Sequence, residues 1–396
     1  MQTIFEASYL ALAAAFLSLS ASFAIVATQR WHGVLTNDVV DGIQKFHTDP
    51  TPRVGGVPIL FGLLIAWVLS SGVLANLLGV LLVASLPALA FGLAEDLSKR
   101  ISAQNRLLAT LASGLLACYL NDAGGLNRVD IWLLDIVLQS WPVSFAFTAF
   151  AIAGMSNAIN IIDGFNGLAS GAVLISLAAL GLIAFQVNDL DLMRMCFILS
   201  GATLGFVVLN FPFGKIFLGD GGAYLLGFTL AWTSVLLLLR NPQVSVWAPL
   251  LACGYPVIEV VFSILRRLHH KMHPFSPDSL HLHSLIKVRV VLKYFHQFAP
   301  NLRNAIVSPI LWIFAALPAA AAAFHFRDEH LLLLYGAVSL LLYSFAYFVL
   351  ERRTAVRHAQ RFGFPLRSSR PPNSKVGLDE SEQGPHSQQN AVNSRR

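Results

Sequence analysis

Five short polar segments interrupt a strongly apolar chain, and each gathers side chains that can manage phosphate charge or a hard cation. The first is "KFHTDPTPRVGG", residues 45–56. Pro50 and Pro52 hold Thr51 extended between them. Gly55 and Gly56 admit close backbone approach, and Lys45 and Arg53 supply positive charge. Such a segment can form a basic lip for phosphate, or simply a stiff charged loop. The second is "FGLAEDLSKR", where Glu95 and Asp96 precede Lys99 and Arg100. Two acids at a helix C-terminus meet the negative end of its dipole, which argues against a capping role. The pair can bind Mg²⁺ or place a nucleophile, with Lys99 offsetting its charge. The plainer alternative is a solvated Glu95–Lys99 pair one turn apart.

The third segment, "NAINIIDGFNG", repeats Asn157, Asn160, Asp163 and Asn166 every three residues. On a helix that spacing gives one slowly drifting polar face, costly beside lipid and suited to lining a polar cleft. Helix–helix adhesion is the alternative for its asparagines. The fourth, "GKIFLGDGGAYLLGF", sets Asp220 among Gly219, Gly221 and Gly222. It reads either as a helix N-cap or as an open carboxylate for a cation shared with phosphates. The fifth, "RRLHHKMHPFSPDSLHLHSLI", holds five histidines, including His281 and His283, together with Arg266, Arg267 and Asp278. It suits a donor-rich, cationic pocket for pyrophosphate better than a zinc site, since no nearby cysteine joins it.

The elements that must carry these segments are membrane helices. Of the 396 residues, 56% are hydrophobic and only 12% charged, against the ~25% charged of a soluble domain. Mean hydropathy is +0.64. About eleven stretches approach the ~20 apolar residues that a spanning helix needs. They lie near 8–28, 54–71, 74–94, 106–121, 142–160, 167–186, 193–210, 222–239, 246–265, 304–324 and 331–350. The first lacks a basic leader and is followed by Arg30, so it reads as a helix with its N-terminus outside. Under that orientation only Arg128, Arg194, Arg240 and Arg327 of the 27 Lys and Arg fall outside, leaving 23 inside with the C-terminus. All five polar segments then fall on the inside face. The mixed stretch 123–139 is expected at an interface, as is 286–298, which reads equally as helix or hairpin. Cys118, Cys196 and Cys253 read as small buried hydrophobes. Glu259, inside the ninth stretch, needs a polar partner at that depth. Residues 1–350 therefore read as an all-α membrane domain, and 351–396 as a basic, disordered tail. No internal repeat supports a transporter built from inverted halves.

Taken in order, "KFHTDPTPRVGG", "EDLSK", "NAINIIDGFNGL", "FLGDGG" and "PDSLHLH" resemble the loop motifs of the polyprenyl-phosphate N-acetylhexosamine-1-phosphate transferase superfamily, glycosyltransferase family 4. The resemblance covers residues of about 40 to 285. It implies a multi-pass enzyme of the bacterial inner membrane with its site at the cytoplasmic face. By this resemblance Lys45 is a phosphate ligand, Asp96 and Lys99 match an acidic "DDxxK" segment, and Asp220 matches a magnesium-binding aspartate. Asn160 and Asp163 match the nucleotide-sugar cleft, which Asn157 and Asn166 extend, and His281 and His283 match the family's histidine motif, with Arg267 beside it. The expected catalytic set is Asp96, Glu95 and Asp220, and the expected ligands of Mg²⁺, or of Mn²⁺ in its place, are Asp220, Asp96 and Asn160. Two departures stand out: Glu95 replaces the usual first Asp, and "HLHS" replaces the three consecutive histidines of the peptidoglycan enzyme.

The second departure, with about eleven spans instead of ten, favours the branch that moves GlcNAc-1-phosphate from a UDP-sugar to undecaprenyl phosphate, releasing UMP, over the phospho-N-acetylmuramoyl-pentapeptide transferase. The expected partners are undecaprenyl phosphate, a UDP-N-acetylhexosamine and the bilayer, with no nucleic acid; a homodimer is compatible with the sequence. Direct attack by the lipid phosphate, with Asp96 orienting it, is expected over a covalent phosphosugar on Asp96, because a phosphate monoester with a second pKa of about 6 is already mostly dianionic at neutral pH. A transporter or a non-catalytic scaffold is the reading from another class, and it leaves the one-sided acid and Asn clusters unexplained.

Overall fold

The computed structural model describes residues 2–38, 50–269 and 280–362. In the unit formed by Met1–Arg352 the chain is a helical bundle. Helix α1 (Gln2–Thr36) leads into a two-residue strand β1 (Asn37–Asp38), which pairs antiparallel with β2 (Thr51–Pro52). Then follow α2 (Gly56–Leu69), α3 (Gly72–Ser98), α4 (Ala103–Leu120), the short α5 (Trp132–Leu138), α6 (Trp141–Ile162), α7 (Leu168–Gln186), α8 (Leu190–Asn210) and α9 (Gly219–Arg240). The last part comprises α10 (Trp247–Ala252), α11 (Gly254–His269), α12 (Leu282–Ile286), a π turn (Lys287–Val291), α13 (Leu292–Tyr294), α14 (Pro300–His325) and α15 (Glu329–Phe362). Eight of the helices among the described residues are long and apolar enough to cross a membrane. The chain is an all-α, multi-pass membrane protein.

Helix α9 is the axis of the bundle. It packs against α2, α3, α6 and α7, and Leu225, Phe228, Leu230 and Trp232 along it are fully buried. The outer helices turn large apolar side chains outward, among them Phe16, Phe23, Phe150 and Phe345. That inside-and-outside apolarity is what a helix in lipid needs, because its backbone satisfies itself and its surface faces hydrocarbon.

Local chemistry sets the boundaries. Ser102 and Asp189 cap α4 and α8 through side-chain oxygens that accept from Asn105 N and Leu192 N, each at 3.2 Å. The ninth apolar stretch is not one helix. It breaks between α10 and α11, because Pro256 has no N–H to give the Ala252 carbonyl. That carbonyl instead accepts from Ser176 Oγ at 2.8 Å, so the break leaves no orphan acceptor. The stretch 123–139, expected at an interface, contributes α5, which exposes Trp132, Leu133 and Ile136. Within the stretch 286–298, residues 286–294 are helical and 295–298 form a turn, so there is no hairpin. All three cysteines are buried and free. Helix α15 continues to Phe362, past the expected start of the tail at 351, and residues 363–396 lie outside the described part.

Candidate active site

The first turn of α9 organises the site. Gly219 has φ +72°, and a Cβ there would lie 2.5 Å from the Arg53 carbonyl oxygen and 2.6 Å from Asp96 Oδ2. Glycine is required on both counts. Cβ atoms on Gly56 and Gly92 would come within 2.7 Å of the backbone of Gly222 and Gly221, so α2 and α3 press directly on this turn. The segment after β2 is held there by Phe217 N donating to Pro52 O at 2.8 Å and Gly55 N donating to Phe217 O at 2.9 Å. These two bonds place Arg53 over the turn.

Leu218, the residue preceding α9, offers no side-chain acceptor to the helix's first amides. Asp96 supplies it from α3. Its carboxylate is 1% exposed and accepts from Asp220 N and Gly221 N, both at 2.8 Å. The sequence argued against capping because the acid opposes its own helix dipole; it caps a different helix, where the dipole favours it. The adjacent Glu95 does not join it. Glu95 Oε2 accepts from Ile101 N at 2.7 Å and closes the α3–α4 turn. The expected acidic pair is therefore two separate carboxylates, because neighbours on a helix point about 100° apart.

Asp220 is 3% exposed and carries the charge at the centre of the cluster. Arg53 bridges the two aspartates, with Nη2 2.5 Å from Asp220 Oδ1 and Nε 3.3 Å from Asp96 Oδ1. Arg106, in the first turn of α4, pairs with Asp220 Oδ2. Asn160 Nδ2 donates to Asp220 Oδ1 at 3.1 Å, and the Tyr224 hydroxyl reaches Asn160 Oδ1 at 3.5 Å. Asp163, half-buried just past the end of α6, lies within electrostatic reach of both Arg53 and Asp96. Burial pushes its carboxyl up to about 7, with Arg53 opposing and Asp96 adding to the rise. Asp96, Asp163 and Asp220 thus share one end of the bundle.

The other expected residues divide. Helix α6 stops at Ile162, so the three-residue spacing of the Asn/Asp series does not continue as one helical face. Asn157 bonds back to Ala153 O at 2.8 Å and toward Thr110 Oγ1 at 3.5 Å. Asn166 lies in the loop before α7 and donates to Pro212 O at 3.2 Å. There it lines a polar cavity of about 380 Å³ together with Arg30, Thr51, Lys215, Phe217 and Asn304. His283 packs edge-on to Phe165 at 5.6 Å and stacks on His281 at 5.2 Å, bringing the histidine motif to the loop that begins at Asp163. Buried Glu259 is accounted for: its Oε1 accepts from His281 Nδ1 at 3.0 Å and from Leu282 N at 3.2 Å. Lys99 stands exposed at the left-handed end of α3, φ +57°. Arg267 lies in the last turn of α11. Lys45 and Asp278 lie outside the described residues.

Two cations escaped the sequence reading. Arg106 was legible only as a charge at a helix mouth, yet a cation in a helix's first turn meets the positive end of the dipole and calls for an anionic partner. Lys287 is 2% exposed, bonds to Asn304 Oδ1 and lies 5.7 Å from the Phe165 ring. Burial, reinforced by Arg303, lowers its ammonium to about 8. Nothing in its local sequence distinguished it from the surface lysines around it.

Among the described residues no three His, Cys, Asp or Glu side chains gather as a metal cage. Mg²⁺ does not need one, because it is commonly held by one or two carboxylates and completes its shell with water and phosphate. The oxygens of Asp220, and the amide oxygen carried by Asn160, fit that sparse donor set. Asp96 is committed to the α9 amides and Arg53, which makes it a support for this site rather than a free ligand.

Residues 78–238, from α3 to α9, match the model of glycosyl transferase family 4. A Bacillus subtilis (strain 168) protein named "Probable undecaprenyl-phosphate N-acetylglucosaminyl 1-phosphate transferase" is 29% identical over 245 residues, 61% of this chain and 66% of its own length. The undecaprenyl-phosphate alpha-N-acetylglucosaminyl 1-phosphate transferase of Yersinia pestis is 29% identical over 259 residues, 61% of this chain and 67% of that protein. Its namesake from Salmonella typhi is 27% identical over 318 residues, 76% and 81% of the two chains. The chain therefore spans about two thirds of the first two relatives and more of the third. The region that matches this family model contains Asp96, Arg106, Asn160, Asp163 and Asp220, the side chains that converge on the first turn of α9.

Proposed function

We propose that the protein transfers N-acetylglucosamine-1-phosphate from UDP-GlcNAc to undecaprenyl phosphate at the inner face of a bacterial plasma membrane, with the N-terminus outside. An oxygen of the lipid phosphate bonds to the sugar-bearing phosphorus, the pyrophosphate P–O bond breaks, and UMP leaves with the electron pair. The observation that carries this reading is the convergence of Asp220, Asn160, Arg53 and Arg106 at one end of an apolar bundle, beside a polar cavity. One substrate lives in lipid and the other in water, so only the mouth of such a bundle can receive both.

Two anions must meet, so charge neutralisation comes first. Bound Mg²⁺, held by Asp220 and Asn160, would supply part of it at the donor pyrophosphate. Arg53 and Arg106 supply the rest and orient the phosphates. The cavity lined by Asn166, Lys215 and Phe217 takes the nucleoside end. Asp96 holds Asp220 in place; with both oxygens engaged, it is no free nucleophile, which favours direct attack. His281 and His283, steadied by Glu259, face the same loop and donate to phosphate oxygens.

Purified protein incubated with UDP-GlcNAc, undecaprenyl phosphate and Mg²⁺ should release UMP and form the lipid pyrophosphoryl sugar. UMP release with none of a panel of UDP-N-acetylhexosamines would remove the reading. Glu259→Gln keeps the shape but weakens the hold on His281, and turnover should fall about tenfold or more with little change in thermal unfolding. Unchanged turnover would separate the histidine from the reaction.

Asp163 makes a pH prediction. Its ordinary value is 3.8 and its folded value about 7, so the folded chain keeps a proton there that the unfolded chain has lost. The stability it contributes is full below 3.8 and declines as pH rises toward about 7. Cation affinity should move the opposite way, increasing as the carboxylate ionises. Asp163→Asn should flatten the rise in turnover between about pH 6 and 8. A rise of unaltered steepness in the variant would place the titrating group elsewhere.

A further inference from the structure

The two oxygens of Asp220 are taken by two guanidiniums, and Asp96 shares one of them. Counted as formal charges, Arg53 and Arg106 against Asp96 and Asp220 sum to zero. A divalent cation alone would leave this group at about +2, and a nucleotide pyrophosphate alone at about −2. Both together restore neutrality. Each Arg side chain is partly exposed, 30% for Arg53 and 20% for Arg106, so each has water on one side into which it can swing. Arg106 Nε is buried and unpaired, which leaves this guanidinium hydrogen-bonding capacity that Asp220 does not use.

We infer that Arg53 and Arg106 guard the cation site: they occupy the Asp220 carboxylate until a nucleotide pyrophosphate draws them away, so that cation and nucleotide bind as a coupled pair. The inference rests on the reading of this site as one that takes a UDP-sugar. The coupling must be reciprocal, nucleotide strengthening the cation as much as cation strengthens the nucleotide. Its distinguishing consequence is a reversal of sign. Removing a guanidinium should weaken the nucleotide but tighten the cation when no nucleotide is present, because the competitor for Asp220 has gone.

The test uses the full chain in detergent and follows free Mn²⁺ by its paramagnetic resonance signal, with and without saturating UDP. The unaltered protein should bind Mn²⁺ weakly alone and about tenfold or more tightly with UDP. Arg106→Met should bind Mn²⁺ alone several-fold more tightly than the unaltered protein and lose most of the gain from UDP. Arg53→Met should do the same, and serves should Arg106→Met not fold. Arg106→Lys should restore part of the gain. Mn²⁺ affinity without UDP that is unchanged or lower in a folded Met variant would overturn the guard. Failure of the unaltered protein to release UMP in the turnover assay would instead overturn the enzymatic reading. The nucleotide-free arm stands in either case, since it asks only whether the guanidinium and Mn²⁺ compete for Asp220.

Discussion

Asp220→Asn is expected to abolish turnover at every Mg²⁺ concentration, a loss of at least about a thousandfold or ~4 kcal/mol of barrier. The substitution is nearly isosteric. It leaves α9 its first turn, since the Asp220 amide rather than its side chain meets Asp96. What disappears is the charge on which Arg53, Arg106 and Asn160 converge. Extra Mg²⁺ cannot compensate, because the missing oxygen is the anchor itself. Both arginines reach water, so thermal unfolding should move little. UMP release measured across a Mg²⁺ series, alongside a melting curve in detergent, decides the matter. Near-normal turnover would remove Asp220 from the metal site.

Asp96→Ala should instead take the fold and the activity down together. The carboxylate is fully enclosed and serves two α9 amides and Arg53. Arg53 reaches water and keeps Asp220, so the main cost lies in two buried N–H donors at the helix start left without an acceptor, about 1–3 kcal/mol each. Asp96→Asn keeps one oxygen but turns an NH₂ toward a donor, so it should fall between. The pairing of the two readouts separates roles. Were Asp96 the site of a covalent phosphosugar, Asn would stop turnover while the melting curve stayed put, and labelled sugar-phosphate would remain on the wild-type chain. Parallel loss with no labelled adduct is the result expected of a positioning residue.

Sequence periodicity made the helices and the shared polar end legible, because apolar run length and loop charge are local properties. It failed where contacts join distant residues. The Asp96–Asp220 link spans 124 positions, and the sequence showed only two acids badly placed for their own helix. The Asn/Asp series read as one face because its spacing is helical, while the stop at Ile162 depends on how the following loop packs. Glu259 announced that it needed a partner, and His281 lies 22 residues on, across a segment outside the described residues. The break near Pro256 was visible in principle, but Ser176, which makes it tolerable, sits 76 positions from the Ala252 carbonyl it satisfies.

Because α3 supplies the cap for α9, neither helix holds a working centre alone. A chain severed in the connection between α4 and α6 would carry Asp96 and Arg106 on one fragment and Asn160 and Asp220 on the other. Any catalysis recovered from the mixed fragments would then count reassociated pairs, making turnover a gauge of membrane assembly rather than of protein quantity.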